Sequence, residues 1–374
     1  MSKIKSILLK IELSGRGIVN YDSGEQKNMY NEYLTSVYNG SQFRKENNIS
    51  YAKKNFTKSP EGKIDYKLKI SSQCLRNKMF DYIQSPNIMH HKELFLSLIA
   101  SQESIVRGYT YAINSADGVS VKRSSALMLT DAVQTNDAKS NLEFFARGGE
   151  KIKKETNDSN SDTSIFTKET VGDIEYSSIG AIDLMQLQFV SCSQIFDRMA
   201  LDPDLFDVYA ELLRKRLPNF NSSLNYYTIK NSVVELPERG FLFSDENIVE
   251  LTKWTLRKML NLKINRTNAF AQIKNIKIKF VENVLEDKLN SEIGWVDLTN
   301  EMIDSLTFEP EIFYELFDEE KAKQIISDIE EKRLSLDKKI VGRKVEKKAA
   351  KKNKFKNESE IEGESEQISN ETEN

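Results

Sequence analysis

Chemistry at a protein site needs side chains that exchange protons, attack an electrophile or hold a metal, and this chain is poor in them. Its two histidines, His90 and His91, are adjacent, so they diverge on a helix or a strand, and no second His or Cys stands at a ligand spacing from them. The two cysteines, Cys74 and Cys192, give neither a disulfide framework nor a metal spacing. No spaced glycine leads into Gly-Lys-Ser/Thr, and Gly15-Arg16-Gly17 lacks the rest of a dinucleotide fingerprint. Gly148-Gly149, flanked by Arg147 and Lys151, offers a phosphate cradle or, more commonly, a flexible turn. Asp131 and Asp183 could serve as acids, although a lone carboxylate near a strand end is more often a cap or an ion-pair partner. No nucleophile is matched with a base. The residues predict no catalysis, no cofactor and no metal.

A different pattern recurs. Small polar and basic residues gather at strand ends and helix starts: Arg16; Ser71, Ser72, Gln73, Arg76 and Asn77; Arg107; and Lys122, Arg123, Ser124 and Ser125. Sets like these hold a sugar–phosphate backbone without reading its bases. Taken singly, each is equally an ordinary cap or a solvated charge. Their agreement gains weight from a long polar stretch between residues 134 and 182 that carries Phe144, Phe145 and Phe166, with Arg147 and Lys168 among them. Such aromatics can wedge against or between bases.

The elements that must position these residues are legible from periodicity. Residues 4–13 alternate Ile4, Ile7, Leu9, Ile11 and Leu13 with polar neighbours and predict a strand. Residues 63–70 alternate more clearly still. They run straight into a helix that Ser72 can cap, with Leu75 and Met79 on its buried stripe. Gln73, Arg76 and Asn77 then fall where backbone amides and the helix dipole favour a phosphate. A short helix is expected over 91–99, and strands over 107–113 and 126–133. Further strand-like runs lie at 163–170, 173–179 and 184–190. The long polar connection from 134 suggests a protruding β-arm rather than a compact hairpin. Helices follow over 202–217 and 244–260, the second capped by Ser244. Residues 274–280 read as a strand, and 310–335 as an acidic helix. Strands and helices interleave with long insertions, which predicts an α+β sheet domain with helices on one face.

Composition narrows the setting. The 374 residues are 39% hydrophobic and 9% aromatic with a formal net charge of −3, a globular balance. That charge hides an asymmetry, since 343–356 carry eight Lys/Arg against one Glu and 357–374 carry seven Glu with no Lys or Arg. A nucleic-acid site on the folded part must therefore be a local patch. Residues 1–342 are expected to fold as one domain and 343–374 to form a disordered tail. The N-terminal apolar run is too short for a signal segment, and no stretch approaches a membrane span of ~18 apolar residues. A reduced, cytoplasmic protein is expected.

Three stretches resemble the backbone subunit of type I CRISPR surveillance complexes, a member of the RAMP superfamily. They are Ile11 to Val19; Ile70-Ser71-Ser72-Gln73-Cys74-Leu75-Arg76-Asn77; and Arg123-Ser124-Ser125-Ala126-Leu127 with the arm through Ser164 to Gly172 and on to Ile182-Asp183-Leu184. The likeness spans roughly residues 4–190 and lies nearest a type I-F-like or related variant. It implies a hand-shaped subunit with an RNA-recognition or ferredoxin-like palm, an inserted finger or web region, and a β-hairpin thumb at about 134–182. It also implies a CRISPR RNA partner, copies of the subunit stacked along that RNA, other Cascade subunits, and target DNA met through guide pairing. By position, Arg16, Gln73, Arg76 and Asn77 would touch phosphate on the palm, Arg123 to Ser125 would stand at the base of the thumb, and Phe166 or Phe144 would be the wedge. The charged tail after Gly342 departs from the family pattern.

Two other classes remain open on the sequence. One is an assembly protein independent of nucleic acid, whose arm grips the next copy. The other is an acid- and metal-dependent nuclease using Asp131 or Asp183.

Overall fold

A computed structural model describes residues 3–22, 32, 51–80, 92–114, 119–152, 159–193, 198–233, 236–282 and 293–333. At 92–94, 112–114, 119, 142, 144–152 and 159–168 the backbone alone is described. The chain divides into two units, Met1–Leu224 with Arg239–Tyr314, and Asn225–Glu238 with Glu315–Asn374.

The first unit is built on a sheet of nine antiparallel-paired strands. Its spine is β1 (Ser6–Arg16), flanked by β10 (Asp173–Asp183) and β15 (Ala269–Val281). On the β10 side come β7 (Ala132–Gln134), β3 (Ile64–Ile70) and β2 (Lys54–Lys58); on the β15 side comes β14 (Lys263–Arg266). The short strands β6 (Leu127–Leu129) and β16 (Val296–Asp297) attach to β10 and β15. The alternation read from the sequence is what makes β1 a strand: Ile7, Leu9, Ile11 and Leu13 are buried on one face, with Lys10, Glu12 and Arg16 on the other. In β3 the buried set is Ile64, Tyr66, Leu68 and Ile70. A register shift between Glu12 and Leu13 inserts Lys274 into β15 as a bulge, and its ammonium meets Glu175 at 2.7 Å.

Helices carry the rest of this core. The largest is α6 (Asp245–Leu260), which begins at Ser244, whose hydroxyl accepts from the Asn247 amide. It has acids in its first turn and Arg257 and Lys258 in its last, matching the helix dipole, and it buries Ile248, Leu251, Leu256 and Met259. Its Trp254 stacks on Phe80 at 5.9 Å between ring centres. The smaller helices are α1 (Ser72–Met79), α2 (Lys92–Ile99), α3 (Gln102–Arg107), α4 (Leu184–Gln188), α5 (Phe206–Arg214) and α7 (Asn300–Ser305). The predicted helix over 202–217 begins as one 3-10 turn, Pro203–Leu205, before α5.

The hairpin β4 (Tyr109–Asn114) and β5 (Val119–Arg123) forms a separate pair, as do β8 (Asn141–Ile152) and β9 (Ser159–Thr170). The second of these is the polar arm, with twelve residues on each side in unbroken antiparallel register. Next to α4, β11 (Phe189–Ser191) pairs with β13 (Glu238–Leu242) through Phe189–Leu242, Val190–Phe241 and Ser191–Gly240. The second unit holds β12 (Asn225–Ile229), where the Tyr226 carbonyl accepts from the Phe317 amide, and a helix over 319–333 that Asp318 caps. The chain leaves the first unit through β17 (Tyr314–Leu316).

Four local expectations are corrected. Ser71, not Ser72, caps α1. The apolar run 184–190 is mostly helix, because the Asp183 carboxylate accepts from the Gln186 amide at 3.1 Å and starts α4. Residues 126–133 are two strands rather than one. Gly148-Gly149 is neither turn nor cradle: both residues lie inside β8, opposite Thr163 and Asp162. His90, His91, the arm tip at 153–158 and the charged tail lie outside the described residues.

Candidate nucleic-acid interface

The start of α1 is the first place where sequence predicted phosphate contacts. Strand β3 delivers the chain to Ser71, whose hydroxyl accepts from the Cys74 amide at 3.3 Å and from the Asn20 side chain at 3.3 Å. The Ser72 amide donates to Asp131 at 2.9 Å, and Lys69 pairs with the same carboxylate at 3.0 Å. Burial pushes the Asp131 carboxyl up, but the Ser72 amide and the Lys69 ammonium outweigh it and hold the group below its usual range. The amide seat that the dipole offers to a phosphate is thus filled by a protein carboxylate, which makes Asp131 a cap. What remains outward-facing is side chain. Gln73 is exposed and Arg76 half-buried, and neither makes a side-chain hydrogen bond or ion pair among the described residues. Asn77 accepts from Arg107 at 2.8 Å, and Arg107 lies 3.7 Å from Glu103. Those two are knit to each other.

Arg123 lies inside the fold rather than on its surface. It is 5% exposed, and its guanidinium donates to the carbonyls of Ile105 (2.9 Å), Phe189 (2.7 Å), Gln186 (3.0 Å) and Leu187 (3.3 Å). These carbonyls belong to α3, β11 and the end of α4, so one side chain joins three elements. The neighbouring backbone is equally constrained: Gly108 has φ +75°, and a Cβ there would stand 2.4 Å from the Arg123 carbonyl oxygen. Burial, then Tyr209, pushes the nearby Tyr109 phenol well above its usual range against the pull of Arg123. Of the flanking residues, Ser125 donates to the Leu127 carbonyl at 2.7 Å, the Lys122 amide donates to Met199, and only Ser124 is exposed.

The arm is seated by a buried charged network that sequence reasoning missed. Lys54 and Glu169 are each 2% exposed and ion-paired. Ser140 donates to the same carboxylate, whose second oxygen accepts from the Ala52 amide at 2.8 Å. Tyr66 lies beneath, its hydroxyl 2.8 Å from Ser140 and its ring 4.1 Å from the Lys54 ammonium. Ser140 precedes β8 and Glu169 ends β9, so both roots of the arm are held by one network. Phe144, Arg147, Phe166 and Lys168 stand farther out, where the register sets Phe144 opposite Thr167, Phe145 opposite Phe166 and Arg147 opposite Ser164. Their side chains lie outside what is described.

Beside this root, where β1 ends, a cleft of about 420 Å³ opens among Arg16, Tyr21, Glu143, Thr170, Arg266 and Asn268. Arg16 is 69% exposed and its carboxylate neighbour, Asp173, is 3.9 Å away. The Nε of Arg266 donates to the Val19 carbonyl at 3.3 Å. The chain turns sharply here: Gly17 has φ +74°, and a Cβ would meet the Asn268 carbonyl oxygen at 2.7 Å. Strand β14 packs against α1. Burial pushes the Cys74 thiol up, and Arg266, Lys78 and Lys53 oppose it. Among the described residues no three His, Cys, Asp or Glu gather as a metal site.

A family model described as type I-Fv CRISPR-associated protein Cas7fv-like matches residues 3–292. The chain belongs to this family. The match reaches well past the segments that carried the sequence resemblance and takes in α6, β14 and all of β15 of the Cas7fv-like chain. No curated protein sequence matches it. Among solved structures it is similar to a chain of a "CRISPR RNA-guided surveillance complex", with 11% identity, TM-score 0.34, and 77% of this chain and 78% of that chain covered. A second, from a "CRISPR RNA-guided surveillance complex, pre-nicking", has 9% identity, TM-score 0.35, and 73% and 75% covered. Likenesses this loose say nothing of contacts. The type I affiliation expected from the sequence holds. The fold is mixed, with antiparallel sheets, as an α+β protein requires. No helix among the described residues is long and apolar enough to cross a membrane.

Proposed function

We propose that this Cas7fv-like chain is a non-catalytic backbone subunit that binds CRISPR RNA. Copies line up along the guide in the cytoplasm, beside the other Cascade subunits, and leave its bases free to pair with target DNA. The nine-stranded sheet with its helices serves as a ferredoxin-like palm, and the β8–β9 ribbon as the thumb, with residues 1–342 as the hand and Phe144 or Phe166 as the wedge. The observation that carries this reading is the set of exposed or half-exposed side chains at the end of β1 and on the first turns of α1: Arg16, Gln73 and Arg76. Ser124, Arg147 and Lys168 remain proposed contacts on the approach to and along the ribbon. Arg123, Ser125 and the Asn77–Arg107 pair support those contacts from inside.

The mechanism is physical. Contacts to phosphate release counterions, so affinity should fall steeply with salt. Each copy offers few contacts, so tight binding needs neighbours and should be cooperative. A guide held extended has less entropy to lose on pairing. Both aspartates that could have served hydrolysis cap helices instead, which supports a reading without chemistry. The experiment is to co-express the chain with a CRISPR array and follow sedimentation before and after RNase. Large particles that collapse on RNase treatment are expected. Particles that persist and absorb like pure protein would point to the assembly protein independent of nucleic acid. RNA cleavage lost on chelation would point to the nuclease.

A further inference from the structure

We infer that the cleft between the β14–β15 turn and the arm root is a subsite for one phosphate–ribose unit, with Arg266 as its principal ligand. The inference rests on the RNA-binding reading above and adds a site beyond the segments that suggested it. Three observations carry it. The cavity of about 420 Å³ falls in the range of small-ligand sites, about 300–1,000 Å³. Its lining holds two arginines. Arg266 is anchored through Nε on the Val19 carbonyl at 3.3 Å, while its two terminal amino groups make no hydrogen bond or ion pair among the described residues. That is a guanidinium fixed at its stem with its fork unoccupied, the arrangement that receives a phosphate through two parallel bonds. Arg16 stands on the same cleft, and among the described residues its side chain has only the long contact to Asp173.

The same lining carries neutral and acidic groups, Thr170, Glu143 and Glu169. Thr170 donates to the Glu143 carboxylate at 2.8 Å, and Glu169 is occupied by its buried network. A lining that carries both cations and acceptors suits a ligand that is anionic at one end and rich in hydroxyls at the other. A nucleotide is such a ligand, and inorganic anions are not. Asn268 and Thr267 at the turn add polar groups able to meet a 2′-hydroxyl.

The test uses the full chain and a fluorescein-labelled single-stranded RNA, with anisotropy read over a series of KCl concentrations. R266A should weaken binding about tenfold at moderate salt and lower the magnitude of the slope of log K against log salt by about one per lost phosphate contact. R266K should keep the slope and lose part of the affinity, because it retains the charge without the fork. The melting temperature should not move for either, since Arg266 is exposed. Uridine monophosphate added in excess distinguishes the sources. Displacement in wild type but not in R266A assigns the site to a free nucleotide as well; no displacement, with the R266A slope still reduced, assigns it to polynucleotide alone. If wild type binds RNA and R266A matches it in affinity and slope, or loses affinity only in step with its melting temperature, the subsite is overturned while the backbone reading stands. A wild-type chain indifferent to RNA overturns both.

Discussion

Arg123 and Arg266 are the same residue type in opposite circumstances. Arg123 lies where α3, α4 and β11 converge, with four carbonyls bound to its guanidinium. Arg266 lies at an exposed turn, held by one nitrogen with the rest of its donors outward. Positive charge is common to both regions, so it cannot identify a nucleic-acid contact. What separates them is where the donors go. A guanidinium whose hydrogen bonds are all met inside the fold has nothing to offer a phosphate, and removing it leaves buried carbonyls without partners.

The contrast yields tests of decreasing size. Arg123→Ala should destabilise the protein by about 3 kcal/mol or more, since it strands several buried carbonyls and opens a cavity. Urea denaturation would show this as a lowered midpoint with unchanged slope, and a midpoint within error of wild type would break the comparison. Arg16→Ala combined with Arg76→Ala should do the reverse. Stability should stay within about 0.5 kcal/mol, as for most surface substitutions, while RNA affinity at moderate salt drops about tenfold or more and the salt slope loses about two. Equal losses in folding and binding would place these arginines with Arg123. The smallest effect is expected at Asp131. Its carboxyl is held below the usual range by the Ser72 amide and Lys69 against the effect of burial, so its folded pKa lies under the unfolded value. Its contribution is therefore present above the ordinary carboxylate pKa and fades as pH falls through the folded value. The side chain is 35% exposed, so solvent screening limits the gain to about 0.5 kcal/mol. Asp131→Asn should flatten the acid limb of the stability profile by that amount and leave RNA binding unchanged.

Periodicity made much of the fold legible. Strands β1 and β3 and helix α6 follow directly from alternation or the 3.6-residue stripe, because each buries one face. The short apolar run 184–190 carries no such signature, and a helix of one turn was read as a strand. The cap of α1 was misplaced by one residue because Ser71 and Ser72 are equally good caps by type. Of the basic and polar residues singled out by the sequence, Arg16, Gln73 and Arg76 face outward and Arg123 is buried, a difference the sequence does not show, since charge patterning contains no information about burial. Arg266 went unnoticed because it belongs to a turn distant in sequence from the other basic sets. Lys54 and Glu169 are separated by 115 positions, and nothing local marks either as buried. Lys54 looks like half of a solvated Lys-Lys pair until β2 sets it opposite Leu68.

That pair has a mechanical consequence. A buried ion pair adds little net stability over uncharged residues of similar volume, so Lys54→Met with Glu169→Gln, which keeps an oxygen for the Ala52 amide, should leave the melting temperature nearly unchanged. What such a pair can fix is direction. The twelve-residue strands of the ribbon span about 40 Å, so a tilt of about 10° at their base carries the far end about 7 Å. In a stacked duplex each strand carries one phosphate per about 3.4 Å of helix axis. The double variant should therefore fold normally yet blur the repeat seen in nuclease footprints of the assembled RNA, and a footprint as sharp as wild type would show the angle is set elsewhere. On the proposed reading, a ribbon that swung by a few degrees would miscount nucleotides, and its bearing is the Lys54–Glu169 pair with Ser140 and the Ala52 amide.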